Sequence, residues 1–133
     1  MAPELRGAGG FHLAGRVRSF YYAARGVSVM LRTQHNAWIH AVATVAVGMA
    51  GVSLDISREE WFFVLLAAAS VWTAEALNTA FESLCDVASP EIHPLVERAK
   101  DVAAGAVLIT ALAAATIGVF IFAPRLEWVL WTG

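Results

Sequence analysis

The sequence predicts an all-α membrane protein: one N-terminal amphipathic helix at the bilayer surface, then three transmembrane helices. Three observations predict it. The composition is 59% hydrophobic and only 15% charged, against roughly 45–50% and about 25% in ordinary soluble domains. The mean hydropathy is +0.63. Three apolar stretches, near 37–54, 61–88 and 102–122, suit a hydrocarbon core of about 30 Å, which takes roughly 20 helical residues to cross. At 133 residues the chain holds one domain at most, because two separate cores would each be too small. Residues 1–15 are expected to be a flexible leader, and 16–133 a single membrane domain.

Taken in order, the surface helix is expected over 16–34. From Arg16 to Arg32 the chain has four arginines, no acid and the bulky run Phe20-Tyr21-Tyr22. Cationic and apolar residues interleaved in this way suit a helix at the headgroups, with Gly26 a place for a kink. The first span reads AWIHAVATVAVGMAGVSL. Ser57 followed by Glu60 is a capping box that opens the second span. That span begins WFFVLLAAASVWTA and changes character midway to EALNTAFESLCD. Pro90 and Pro94 force the chain out of helix before the third span, which carries no charge between Val102 and Phe122. Three antiparallel helices follow. Trp38 and His40 read as packing or interfacial residues, Trp128 and Trp131 as an outer aromatic belt. Gly48, Gly51, Gly105 and Gly118 permit close helix approach, and Cys85 reads as a small buried residue.

Basic residues set the orientation. Arg6, Arg16, Arg18, Arg25 and Arg32 precede the first span, and Arg98 and Lys100 follow the second. The opposite face holds only Arg58 and Arg125. The N-terminus and the 89–100 loop should therefore share the cytoplasmic face of an inner membrane. A net charge of −2, without basic and aromatic residues alternating as a single-strand platform, argues against nucleic acid. One cysteine cannot make an intrachain disulfide, and leaves too few thiols for a zinc site. The first fifteen residues lack the apolar core of a signal peptide, so insertion should come from internal segments.

The second span carries Glu75, Asn78, Thr79, Glu82 and Asp86 where a plain anchor would carry leucine. At about 100° per residue they fall within an arc of roughly 100°, which makes one polar stripe. Ionisable groups in hydrocarbon cost at least about 2.5–3.5 kcal/mol each on insertion scales, so such a stripe faces a partner, an ion or a pathway. Asp86 and Glu82 lie near the cytoplasmic end of the span, where simply facing water is the alternative reading, stronger for Asp86 than for Glu82. Glu75 lies midway along it, stripped of water, the setting in which a general base is poised. Glu75 and Glu82 are about two turns or ~10 Å apart on one side, so one can work on a hydroxyl while the other holds a metal. Asn78 sits between them as donor and acceptor. Lys100 can meet a phosphate as a point charge and Asp101 can assist with metal or ribose, unless both are a solvated helix cap. No Walker-type glycine loop and no kinase catalytic-loop signature is present. Two other classes stay open: a proton or cation relay in a small transporter, and a nucleotide-binding protein that has lost catalysis.

The segments SFYYAARGVSVMLRTQHNAWIH (19–40), EALNTAFESLCD (75–86) and SPEIHPLVERAKDVAAGAVL (89–108) resemble the prokaryotic diacylglycerol kinase family. Its members are small trimeric membrane enzymes that phosphorylate diacylglycerol or undecaprenol. The resemblance runs from about Arg16 to Phe122. It implies a homotrimer, a lipid hydroxyl as acceptor, and ATP with Mg2+. It implies Glu75 as general base, with Asn78 and Lys100 also catalytic, and Glu82 as the metal ligand. Arg16, Tyr22, Glu91, Ile92, His93, Lys100 and Asp101 would contact the nucleotide, and Arg18, Ser19, Arg25, Met30 and Asn36 the lipid. The family commonly has a second metal-binding glutamate where this chain has Gln34, whose carbonyl can still ligate a hard cation but brings no charge. An arginine expected in the family aligns with Gly15, and Arg16 stands beside it. The run Leu31-Arg32-Thr33-Gln34-His35-Asn36 looks closer to the polyprenol-kinase branch, which favours undecaprenol slightly.

Overall fold

The computed structural model describes residues 13–89, 91 and 93–132. It has four helices: α1 (Leu13–Thr33), α2 (His35–Ser53), α3 (Arg58–Ala88) and α4 (Pro94–Thr132). α2, α3 and α4 as far as Glu127 are long and apolar enough to cross a membrane. Most of the expected leader, with Arg6, lies outside the described residues, as do Ile92 and the side chain of Trp128. α1 begins at Leu13, earlier than expected, and continues through Gly26 as helix.

A single residue separates α1 from α2. Gln34 has extended backbone (φ −104°, ψ 117°) and makes no side-chain cap, although its N–H still donates to Met30 O at 2.9 Å. Ser, Thr, Asp or Asn is the usual choice at such a position. Here the side chain reaches to α3 instead, where Gln34 Nε2 donates to Glu82 Oε2 at 2.7 Å.

α2 ends in a Schellman motif. The N–H of Ile56 donates to Gly51 O at 3.1 Å and that of Asp55 to Val52 O at 3.4 Å. Asp55 takes the left-handed conformation (φ 47°), and Ile56 is buried behind it. The capping box then opens α3 as expected: Glu60 N–H donates to Ser57 Oγ at 3.2 Å, and Ser57 N–H to Glu60 Oε2 at 2.7 Å. This tight turn lays α2 antiparallel on α3. The facing pairs descend in order: Gln34 with Glu82, His40 with Glu75, Thr44 with Trp72, and Gly51 with Trp61.

The boundary of the last helix differs from the expectation. A third span opening near residue 102 would leave Lys100 and Asp101 just outside it, but α4 starts at Pro94 and carries both inside. Proline suits a first helical position, where its missing N–H is not needed, so it starts the helix rather than extending the loop. α4 also continues past Pro124. Proline withholds one N–H from the ladder, and the Arg125 guanidinium places a donor close by, Nη1 to Ile121 O at 2.7 Å.

α3 packs mainly against α4, and an ion pair ties each end. Arg125 grips both carboxylate oxygens of Glu60 at 2.7 and 2.8 Å, and Lys100 Nζ meets Asp86 Oδ1 at 2.6 Å. The buried residues of α3 are Val71, Ala74, Glu75, Asn78, Thr79 and Cys85, one helical stripe. Large apolar side chains such as Val45, Leu65, Ile109 and Phe120 point outward, as they should where lipid is the solvent.

At Gly51 the packing leaves no room for a side chain, since an added Cβ would lie 2.8 Å from two ring carbons of Trp61. Gly51→Ala is expected to destabilise the fold by about 1–3 kcal/mol, as overpacked cores do. Thermal unfolding in detergent will measure it, and the smaller ring of Trp61→Phe should recover much of the loss.

Candidate active site

The polar stripe of α3 becomes more exposed toward the C-terminal end of the helix. Glu75 is wholly buried (0% exposed) and Asn78 is buried, while Glu82 is half-buried and Asp86 exposed. Glu75 is also the largest fully buried side chain among the described residues. The inner part of the stripe therefore lies on the packing face, with Glu75 turned to His40 of α2 and Glu82 to Gln34 at the α1–α2 junction, while Asp86 meets Lys100 of α4.

Glu82 and Glu75 differ in how they are satisfied. Glu82 accepts from Gln34 at 2.7 Å and from Asn78 Nδ2 at 3.1 Å. Neither carboxylate oxygen of Glu75 has a hydrogen-bond partner, and the buried Asn78 Oδ1 and His40 Nε2 have none. His40 Nε2 stands 3.7 Å from Glu75 Oε2, just beyond hydrogen-bonding reach. Native structures rarely leave buried polar atoms unpaired, and those that remain often mark reactive sites.

One turn beyond Glu82, Lys100 and Asp86 form an ion pair on the exposed rim. Asp101 beside it is exposed. In the short connector, His93 Nδ1 accepts from Leu95 N–H at 3.2 Å at the start of α4, and Ser89 Oγ donates to the Glu91 carbonyl at 3.0 Å. Gln34 and Lys100 both meet the C-terminal end of α3, so the α1–α2 junction and the start of α4 lie at the same end.

The expected lipid residues divide. Arg25 and Met30 line a cleft of about 480 Å³ between α1 and α3, with Thr79, Ala80 and Ser83 across it, and Tyr22, expected at the nucleotide, lines the same cleft. Arg18, Ser19 and Asn36 do not line it. Arg18 Nε donates to Tyr22 Oη at 3.0 Å and Ser19 Oγ to Gly15 O at 3.0 Å, while Asn36 is exposed, as is Arg16. A second cleft, of about 840 Å³, opens between α3 and α4 beside Asn78, walled by Leu77, Phe81 and Arg98.

What sequence reasoning did not locate is the place of His40, whose Nε2 stands 3.7 Å from Glu75 Oε2. His40 reads as packing in isolation, but the α2–α3 register sets it against Glu75. The short capped turn at 54–57 was the available signal, since it fixes which residues of two antiparallel helices face each other.

A hard cation fits the oxygens gathered here. Magnesium takes one or two protein carboxylates and completes its shell with phosphate and water oxygens. Glu82 would be the carboxylate, Asn78 Oδ1 is an orphaned oxygen beside it, and a half-turn of the Gln34 amide would present its carbonyl. Among the described residues no three His, Cys, Asp or Glu side chains converge.

The profile of the family described as prokaryotic diacylglycerol kinase matches residues 21–122 of this chain. The undecaprenol kinase of Bacillus subtilis is 39% identical to it over 109 residues, 82% of this chain and 89% of that protein. The diacylglycerol kinase of a Synechocystis species is 40% identical over 109 residues, 81% of this chain and 62% of that protein. The profile match contains α2, α3 and the polar first half of α4, and with them every group of the buried stripe.

Gln34→Glu tests the junction directly. In magnesium-free detergent it replaces a hydrogen bond with two facing carboxylates, a loss of about 1–3 kcal/mol for the stranded acceptor. The variant should melt below the parent without magnesium, and regain more stability than the parent when magnesium is added. Melting unaffected by either change would show that residues 34 and 82 share no cation site.

Proposed function

The chain belongs to the prokaryotic diacylglycerol kinase family and is a membrane lipid kinase, and on that premise we propose that it phosphorylates undecaprenol from ATP with magnesium. The observation that carries this reading is the unpaired Glu75 carboxylate, wholly buried on the same helix face as Asn78 and Glu82. Diacylglycerol is the alternative acceptor. Identities of 39% and 40% to the two kinases do not separate the substrates, and the Leu31–Asn36 run favours undecaprenol.

In the proposed reaction Glu75 takes the proton of the lipid hydroxyl. The hydroxyl oxygen attacks the terminal phosphorus of ATP in line, the bond to the bridging oxygen breaks, and ADP leaves. Glu82, with Asn78 and Gln34, would hold the magnesium. Magnesium, when bound, supplies neutralisation of phosphate charge. Lys100 exchanges Asp86 for a phosphate oxygen; both side chains sit at the rim, where the exchange needs no repacking. Arg16, Tyr22, Glu91, Ile92, His93 and Asp101 bound the nucleotide. Arg25 and Met30 line the lipid cleft, and Arg18, Ser19 and Asn36 flank its approach.

The same reading places α1 at the headgroups and the Lys100 end at the cytoplasmic side of the inner membrane, where ATP is present. Exposed Phe20 and Tyr21 beside Arg18 and Arg25 support the surface position. Assembly is a homotrimer in which a helix of a neighbouring copy closes the α3–α4 cleft. Ala99, Ala103 and Ala106 line that cleft, and small residues allow a helix to come close. One observation favours a second reading, a relative with weakened catalysis: Gln34 already meets one oxygen of Glu82 with a neutral donor. On that reading Gln34→Glu would raise turnover by orders of magnitude over an almost silent parent.

Glu75→Gln is expected to remain folded and lose transfer by about 10²–10⁴-fold, the usual worth of general-base catalysis. Radiolabelled ATP with purified protein in vesicles containing undecaprenol, or diacylglycerol, checks both the residue and the substrate. Full turnover by the variant would refute the assignment of the base. Labelling of diacylglycerol alone would reverse the choice of lipid.

A further inference from the structure

We infer that His40 is the positioning residue for Glu75: its Nε2–H holds the carboxylate in the orientation that receives the proton of the lipid hydroxyl. The inference rests on the reading of Glu75 as the base and adds a residue that composition and spacing leave among the packing side chains.

Three observations converge on it. First, the two groups are each other's counterpart in the buried layer. His40 Nε2 and both Glu75 oxygens have no hydrogen-bond partner, and they face each other at 3.7 Å. His40 Nε2 lies a short movement from that carboxylate, and catalytic hydrogen bonds are often long before substrate binds and tighten afterwards. Second, the imidazole is braced. Its ring lies edge-on to Trp72, with centroids 6.4 Å apart and planes at 69°. Trp72 is anchored in turn, its Nε1 donating to Thr44 Oγ1 at 3.1 Å, and Thr44 Oγ1 donates back to the His40 carbonyl at 2.7 Å. Trp72 precedes Glu75 by three residues on α3 and Thr44 follows His40 by four on α2, so each brace lies one turn from the residue it serves. Third, the contact joins different helices. Asn78, one turn along from Glu75, directs its amide to Glu82, so α3 itself holds Glu82 and leaves Glu75 to α2.

A packing histidine needs only its volume, whereas a positioning histidine needs a donor at Nε2. Gln carries an N–H at nearly that reach and Leu carries none, so the two substitutions separate the roles. In vesicles with undecaprenol, His40→Leu should lower kcat by roughly 10- to 100-fold, as loss of an orienting partner does. KM for ATP and for lipid should move little, and His40→Gln should keep most of the rate. On the Glu75→Gln background His40→Leu should cause no further loss. In protein labelled with 15N at its histidine rings, the signal absent from His40→Gln should shift in Glu75→Gln, a readout that needs neither turnover nor the leucine variant to fold.

Equal loss in His40→Leu and His40→Gln, or no shift of that ring signal, would overturn the inference in favour of packing. Full turnover by His40→Leu beside an inactive Glu75→Gln would overturn it while leaving Glu75 as the base. Full turnover by Glu75→Gln would remove both.

Discussion

An acid buried at the middle of a membrane helix, with no hydrogen bond to either oxygen, is the constraint from which the other features of this protein follow. Insertion scales put at least about 2.5–3.5 kcal/mol on a charged side chain at that depth, so Glu75 is tolerated only because it faces inward. Every larger choice in the fold serves that facing. α3 is the helix packed by all three others, Glu75, Asn78 and Thr79 of its polar stripe lie among its buried residues, and lipid meets the apolar remainder. A membrane protein of this size has few interior positions, and among the described residues the largest fully buried side chain is a carboxylate rather than leucine or phenylalanine.

The α2–α3 turn has an outsized role in that arrangement. Once the Schellman motif and the capping box fix the chain reversal, helical geometry decides what lies opposite each residue of α3. Trp61 closes on Gly51 near the turn, Trp72 meets Thr44 in the middle, His40 meets Glu75, and Gln34 meets Glu82 at the open end. A slip of one residue would rotate α2 by about 100° and carry His40 and Gln34 off the facing side together. The precision of the distant site thus originates in a short apolar and hydrogen-bonded corner that touches none of its chemistry.

Much of this was legible in the amino-acid string, for identifiable reasons. Helix in lipid is enforced by hydrogen-bond satisfaction, so three apolar runs read directly as three helices, and the Ser57–Glu60 box marked a boundary through its own chemistry. The polar stripe followed from periodicity alone, and Glu75, Asn78 and Glu82 stand together as that periodicity requires. The start of α4 was less legible. Hydropathy marks where lipid begins and proline marks where a helix begins, and between Pro94 and Val102 the two signals disagree because a helix can extend past the hydrocarbon. His40 was hidden for another reason. Its neighbours in sequence are apolar, its importance comes from a helix it is not part of, and composition carries no information about what lies across an interface.

The two inward acids show how one helix face can hold like residues in unlike states. Glu82 is met by two N–H donors, from Gln34 and Asn78, so its charge is spread over hydrogen bonds even with no cation beside it, and the junction of three helices holds together on those bonds. A glutamate at position 34 would place like charge against like charge there, and the site would depend on a cation for its integrity as well as for its reactivity. Gln34 removes that dependence at the cost of one negative charge. Glu75 has no such accommodation within α3, and its nearest donor belongs to α2. The more easily satisfied acid therefore suits a ligand that must bind and leave, and the unsatisfied one suits a proton, because only a group left short of partners gains much by acquiring one.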